Sequence, residues 1–126
     1  MIAGVRVRAS AASPPSRLAT AAVAIVVRGH LVGNAQRHGD ALVLQGTRDQ
    51  RFLTVHVDDD GPGIAAHERE EVFRPFYRLD EARNQDEGGT GLGLAIARDI
   101  ARSHGGDVSL GESAMGGLRA SVRVPV

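Results

Sequence analysis

Residues 88–97 read Gly88-Gly89-Thr90-Gly91-Leu92-Gly93-Leu94-Ala95-Ile96-Ala97, a glycine-rich loop that runs directly into an apolar segment. Four glycines fall within six residues, and an apolar helical pattern, with Leu92, Ile96 and Ile100 on one face, begins at once. The first turn of a helix presents unpaired N–H groups and a partial positive charge, so a glycine loop placed there is suited to hold phosphate. Glycines also let the backbone approach an anion without a Cβ clash.

Two familiar phosphate-binding loops do not fit this stretch. A dinucleotide fingerprint needs a third glycine where Leu94 or Ile96 stands, and it follows a strand, whereas residues 84–87 are typical of a loop. A P-loop ends in lysine, and the chain contains no lysine, which also excludes a protein-kinase strand lysine and Schiff-base chemistry. A plain glycine turn between two helices stays open as the alternative.

Composition limits the classes of protein that the chain can represent. Its 126 residues indicate one domain, and 42% hydrophobic residues are enough to bury a core. A formal net charge of zero gives no reason to expect nucleic acid or an anionic membrane as partner. The absence of cysteine excludes disulfides, thiol nucleophiles and cysteine-based zinc sites. The longest apolar run, residues 18–27, is about half the roughly twenty residues that span a membrane, so we expect a buried helix there. The absence of cysteine fits a cytoplasmic segment.

The first half of the chain predicts a long helix with one polar face. Residues 1–16 are ambiguous between an edge strand, over residues 5–8, and a linker, and the helix runs from about Arg17 to His38. Glycines at 29 and 33 cost roughly 1 kcal/mol each in a helix, so we expect something to lie close beside them. A solvated helix face is the alternative. The polar side chains that share one face are His30, Asn34, Arg37 and His38.

Two strands are predicted next, over residues 41–45 and 52–58, with a turn over 46–50. The second strand ends in Asp58-Asp59-Asp60-Gly61-Pro62-Gly63-Ile64, and acids followed by Gly-x-Gly at a strand end are typical of a binding site. An EF-hand is excluded. With Gly61 at the sixth position of the calcium loop, histidines 56 and 67 would occupy its first and last ligand positions. An ordinary acidic turn is the alternative.

The second half predicts a short helix over 65–73, a polar segment of lid length over about 74–90, and a helix from the glycine loop to His104. Gly105 and Gly106 should end that helix, and residues 107–113 and 118–124 should form a hairpin. These elements predict an α+β fold, a two-layer α/β sandwich in which three helices cover one face of a mixed sheet of about five strands.

Taken together, residues 29–126 resemble the ATP-binding domain of sensor histidine kinases, whose superfamily includes DNA gyrase, mismatch-repair ATPases and a heat-shock chaperone. Four family boxes occur in the family's order, with appropriate gaps between them. They are residues 30–38 (the N box), 59–64 (the first glycine box), 72–78 (the F box) and 89–94 (the second glycine box). The resemblance implies the Bergerat-type ATP-binding fold over residues 17–126.

The resemblance also implies how ATP is bound. Asp59 would accept a hydrogen bond from the adenine amino group, and guanine, which presents an acceptor there, would be rejected. The glycines at 61 and 63 would let the chain pass flat beside the base. The implied ATP-binding residues are Asp59, Gly61, Gly63 and Ile64 in the first glycine box, Asn34, Arg37 and His38 in the N box, and Gly89, Thr90, Gly91, Leu92, Gly93 and Leu94 in the second glycine box.

Metal and catalytic groups follow from the same resemblance. Asn34 would offer an amide oxygen to Mg²⁺, a hard cation that prefers oxygen ligands. Arg78 and Arg83 would stabilise the terminal phosphate during transfer. His30 stands where sensor kinases usually have Asn, so it either orients or deprotonates a nucleophile or simply replaces Asn as a hydrogen-bonding group.

The chain lacks the context of a phospho-acceptor. None of the histidines at 56, 67 and 104 precedes the acidic-Leu-Arg-Thr-Pro sequence that marks the acceptor in the family. We therefore expect a histidine kinase catalytic domain that binds Mg·ATP and passes the γ-phosphate to a histidine on a separate dimerisation domain, and through it to a response regulator. The alternatives are a stand-alone ATPase or anti-sigma-type kinase that uses His30 as base, and a truncated nucleotide-binding module without transfer activity.

Overall fold

One mixed five-stranded sheet forms the frame of the domain. The computed structural model describes residues 6–10, 17–31, 41–75 and 93–126, with only the backbone of 6–10 and of His30. The strands are β1 (Arg6–Ser10), β2 (Leu42–Arg48), β3 (Phe52–Asp59), β4 (Asp107–Glu112) and β5 (Leu118–Pro125). Their order in the sheet is β1-β2-β3-β5-β4, with β1 parallel to β2 and the other neighbours antiparallel.

Helices cover one face of this sheet and enclose the core. Helix α1 spans Arg17–Val26 and α2 spans Gly93–Ser103. Residues on alternate positions of β5 are buried against the helices, as the sequence pattern predicts. Small residues of both helices allow a close approach to the sheet. The core comprises Ala19, Ala22, Val23 and Val26 of α1, Ala97 and Ala101 of α2, and Val57, Val108, Val122 and Val124 of the strands. The predicted two-layer α+β class is confirmed.

The helix that begins at Arg17 changes its winding before the N box. Residues Val27–Leu31 form a π-helix, a wider turn than the α-helix that the sequence predicts there. Of the four residues of the predicted polar face, only His30 belongs to this segment. Gly29 is exposed, and a Cβ on it would meet no atom of the described residues within 4 Å. Gly33 and residues 34–38 lie outside the described ranges.

The predicted short helix over residues 65–73 is wrong in type. Two 3₁₀ turns, Ala66–Glu68 and Glu71–Phe73, stand in its place. Their bonds span three residues, as in the N–H of Arg74 to the carbonyl of Glu71 at 3.0 Å. Arg74 then turns extended, with ψ of 135°, because the proline that follows disfavours a helical residue before it.

The turn between β2 and β3 is shorter than the sequence predicts. Strand β2 continues to Arg48, so residues 46–48 belong to the strand and not to the predicted turn. The carboxylate of Asp49 accepts the N–H groups of Arg51 and Phe52, each at 2.7 Å. These bonds close the turn and hold the pKa of Asp49 below its usual value, since they favour the charged carboxylate.

A glycine pair ends α2 as the sequence predicts. Gly105 has a φ of +84°, a left-handed conformation that suits glycine. Its N–H binds the carbonyl of Arg102 at 3.0 Å, and the N–H of Gly106 binds that of Ala101 at 2.8 Å, which is the Schellman pattern. No helix within the described ranges is long and apolar enough to cross a membrane.

Candidate functional site

The candidate site lies where β3 ends beside the start of β5. Asp59, the last residue of β3, pairs with Leu42 of β2 and is only 2% exposed. Its Oδ1 accepts the N–H of Gly61 at 3.0 Å and the N–H of Leu118 at 2.9 Å. A buried carboxylate is costly unless it is hydrogen-bonded, and these two donors meet that need. The sequence-predicted adenine-binding carboxylate is therefore fixed by backbone groups from two separate turns.

Glycines let these two turns meet. Gly63 has a φ of +73°, and a Cβ on it would lie 3.4 Å from the carbonyl group of Gly117. Gly117 is buried, and a Cβ on it would overlap the carboxylate of Asp59 and lie 2.6 Å from the N atom of Gly61. The structure thus brings together Asp59, Gly61 and Gly63, as the sequence predicts, and adds Gly117.

The turn that carries Gly117 has its own hydrogen bonds. Ser113, buried at 8% exposure, donates its N–H to the carbonyl of Gly117 at 2.9 Å, and its carbonyl accepts the N–H of Gly116 at 3.0 Å. Its hydroxyl accepts the N–H of Met115 at 3.0 Å. The sequence analysis gives this turn no role in the site. The signal that points to it is the Gly116-Gly117 pair directly before β5.

The three consecutive acids at the end of β3 have three different partners. Asp58 lies on the opposite face of the sheet from Asp59 and accepts two bonds from the guanidinium of Arg119, at 2.8 and 3.0 Å. This carboxylate raises the pKa of Arg119. Asp60 accepts the N–H of Ala41 at 3.0 Å. The acids therefore do not form a shared cluster, and no group of three potential metal ligands occurs within the described ranges.

The structure describes only some of the other residues that the sequence predicts for the site. Ile64 is half-buried against the core, and Leu94, in the first turn of α2, is buried. Gly93 is the first residue of α2, and a Cβ there would meet no atom within 4 Å in the part of the chain that the structure describes. His30 belongs to the π-helix, and its side chain is outside the description. The predictions that lie outside the described residues are Asn34, Arg37, His38, Arg78, Arg83, Gly89, Thr90, Gly91 and Leu92.

Arg98 of α2 joins this helix to the segment before residue 76. Its guanidinium lies 3.7 Å from the centre of the buried Phe73 ring and donates to Glu70 at 2.9 and 3.1 Å. It also donates to Asp107 of β4 at 3.0 Å. The bond from Arg98 holds the pKa of Glu70 below its usual value. Arg98 is a second residue that the sequence analysis does not single out.

The chain is similar to sensor histidine kinases in sequence and in fold. The family described as histidine kinase-, DNA gyrase B- and HSP90-like ATPase matches residues 24–126. Sensor histidine kinase CpxA of Escherichia coli (strain K12) is 45% identical over 98 residues, which are 77% of this chain and 21% of CpxA. The histidine kinase domain of the E. coli osmosensor EnvZ is 32% identical, with a TM-score of 0.66 over 97% of this chain and 74% of that domain.

A further solved structure agrees in fold. The mycobacterial sensor histidine kinase MprB has a TM-score of 0.73, covering 97% of this chain and 82% of that one, and its 22% identity supports the fold alone. The chain spans about a fifth of the length of its curated relative CpxA, whose matched share is 21%. The family match covers most of the chain, and the chain therefore belongs to the histidine kinase-, DNA gyrase B- and HSP90-like ATPase family.

Proposed function

We propose that this chain is the ATP-binding catalytic domain of a two-component sensor histidine kinase. It binds Mg·ATP and delivers the γ-phosphate to a histidine on a separate dimerisation domain, from which a response regulator receives it. Membership of the family and similarity to sensor kinases support this proposal. The observation that carries it is the buried carboxylate of Asp59, held by backbone groups of Gly61 and Leu118.

The geometry of Asp59 suits recognition of adenine. Both backbone donors bind Oδ1, so Oδ2 is the oxygen that can accept a further hydrogen bond. The amino group of adenine supplies such a donor, whereas guanine presents a carbonyl oxygen that a carboxylate repels. A site built on a buried hydrogen bond discriminates strongly, because the wrong base leaves its polar group unpaired. We propose Gly61, Gly63 and Ile64 as further residues of the base site.

The phosphate end of the site is proposed from residue types. Gly89 to Leu94 would wrap the phosphates at the N-terminus of α2, and Arg78 and Arg83 would stabilise charge on the terminal phosphate. Arg37 and His38 are proposed phosphate contacts, and His30 is proposed to act near the nucleophile.

Mg²⁺ is proposed to bind through the amide oxygen of Asn34, together with phosphate oxygens and waters. The metal would neutralise negative charge on the phosphates during transfer. Asp58 and Asp60 bind Arg119 and Ala41 respectively, so we assign neither of them to the metal. We further propose that the domain works on the cytoplasmic side of a membrane-anchored kinase.

Calorimetry of Mg·ATP binding tests the nucleotide site. The wild-type chain is expected to bind ATP and not GTP, and Asp59→Asn is expected to bind ATP much more weakly while remaining folded. Asp60→Asn is the matched control, because it removes the same charge one residue away and is expected to bind ATP normally. Equal ATP affinity in the wild type and Asp59→Asn, or equal affinity for GTP and ATP, would contradict the proposal.

Phosphate transfer needs a second assay. Wild-type chain, γ-labelled ATP and a separately expressed dimerisation domain of a sensor histidine kinase should yield acid-labile, base-stable phosphohistidine on the dimerisation domain. Asp59→Asn should yield none. Steady release of inorganic phosphate at the same rate with and without the acceptor, and no labelled acceptor, would favour a stand-alone ATPase instead.

A further inference from the structure

The turn between β4 and β5 closes directly against Asp59. Gly117 is buried there, and the N–H of the next residue, Leu118, donates to Oδ1 of Asp59 at 2.9 Å. A Cβ at position 117 would lie 2.6 Å from both the carbonyl oxygen of Asp59 and the N atom of Gly61, and would overlap Oδ1. Real Cβ atoms are not found so close to backbone atoms, so any side chain at this position must displace the turn or the carboxylate.

The same contact decides which carboxylate oxygen is free. Because Gly61 and Leu118 both donate to Oδ1, the carboxyl group is held in one rotation, and neither of these donors binds Oδ2. A carboxylate that is free to rotate would have no such preference, and it would lose conformational entropy when a base binds. The closeness of Gly117 therefore fixes the direction in which Asp59 offers its accepting oxygen.

We propose that Gly117 is a specificity-determining positioning residue for nucleotide binding, acting through Asp59. It contacts the carboxylate that recognises the base and does not itself contact the base. The inference rests on the proposed function, because it concerns the adenine contact assigned to Asp59. It predicts that a side chain at position 117 weakens ATP binding by disturbing Asp59.

The test compares Gly117→Ala with a matched control. Gly111→Ala adds the same methyl group to β4, where a Cβ would meet nothing within 4 Å, and it is expected to bind Mg·ATP like the wild type. Gly117→Ala is expected to lose about tenfold or more in ATP affinity, because a buried hydrogen bond to Asp59 is weakened. Calorimetry measures affinity, and circular dichroism checks that both variants are folded.

A double-variant cycle separates positioning from general damage. In the Asp59→Asn background, Gly117→Ala is expected to add little further loss of affinity, since both changes act on one contact. Full additivity of the two losses would overturn the proposal, as would wild-type affinity in Gly117→Ala. If Asp59→Asn binds ATP like the wild type, the proposed adenine contact itself fails. This result is distinct from a failure of Gly117 alone, in which Asp59→Asn loses binding and Gly117→Ala does not.

A measurement on the wild type covers the case in which Gly117→Ala does not fold. Amide hydrogen exchange at Leu118 and Gly61 is followed with and without saturating Mg·ATP. Both amides are expected to exchange as slowly or more slowly in the complex, because Oδ1 keeps its two donors while Oδ2 takes the base. Faster exchange at either amide with ATP bound would overturn the proposal.

Discussion

The guanidinium of Arg98 lies 3.7 Å from the centre of the Phe73 ring, although 25 positions separate the two residues in sequence. The same guanidinium donates to Glu70, beside Phe73, and to Asp107 at the start of β4. One side chain therefore joins α2, the second 3₁₀ turn and the sheet. The positions on either side of residues 76–92 are thus held together through α2 and the buried ring of Phe73.

Replacement of Arg98 is expected to destabilise the domain more than replacement of its neighbour Arg102. Both arginines bind Asp107, but the Arg98 side chain is 12% exposed and that of Arg102 is 56% exposed. Arg98→Ala removes the stacked contact with Phe73 and part of the helix attachment, for a loss of about 1–2 kcal/mol in the free energy of unfolding. Urea denaturation of Arg98→Ala and Arg102→Ala measures the difference, and equal losses would contradict this role.

Replacing Asp58 and replacing Arg119 are expected to lower the free energy of unfolding by different amounts. The Asp58 side chain is 6% exposed, so Arg119→Met leaves a buried carboxylate without its cation, and a loss of about 2–3 kcal/mol is expected. Arg119 is 35% exposed and can reach water, so Asp58→Asn should cost less. The double variant should recover part of the Arg119→Met loss. Purely additive effects in denaturant unfolding would show that the two residues are not coupled.

Asp59 is expected to matter for stability as well as for binding. Asp59→Ala leaves the half-buried N–H of Gly61 and the buried N–H of Leu118 unpaired, and each is expected to cost about 1–2 kcal/mol. Asp59→Asn keeps an oxygen that can accept both, so its free energy of unfolding should stay close to that of the wild type. Thermal and denaturant unfolding of the two variants check this ordering. A loss in Asp59→Asn as large as in Asp59→Ala would mean that the negative charge, and not the two hydrogen bonds, holds the turn.

Local patterns in the sequence predict the sheet well and the site only in part. The alternation along β5 predicts which side chains are buried, because side chains of a strand alternate between its two faces. The Gly105-Gly106 pair predicts the end of α2 for a similarly local reason. In contrast, the bond from Leu118 to Asp59 spans 59 positions and depends on strand order, which no local pattern encodes. Gly117 is missed for this reason, since its constraint comes from a distant turn.

The apolar pattern of the sequence does not distinguish the observed π-helix and 3₁₀ turns from the α-helices that it predicts. The π-helix over Val27–Leu31 and the 3₁₀ turns before Pro75 bury much the same apolar residues as α-helices would, including Val27, Leu31 and Phe73. Hydrophobic spacing alone therefore does not separate these helix types over three to five residues. The four boxes still identify the family, because their residues and order do not depend on the exact winding of each turn.

His56 is expected to make the stability of the domain depend on pH near neutrality. Burial lowers its pKa from the usual 6.5, nearby Arg119 lowers it further, and Asp58 partly opposes this. The folded state thus binds fewer protons than the unfolded state, so the free energy of unfolding should fall as pH drops below about 7 toward the folded pKa, by at most about 1.4 kcal/mol per pH unit. His56→Gln should flatten this dependence. Urea denaturation from pH 5 to 8 measures both proteins, and an unchanged slope in His56→Gln would mean that groups other than His56 carry the pH dependence.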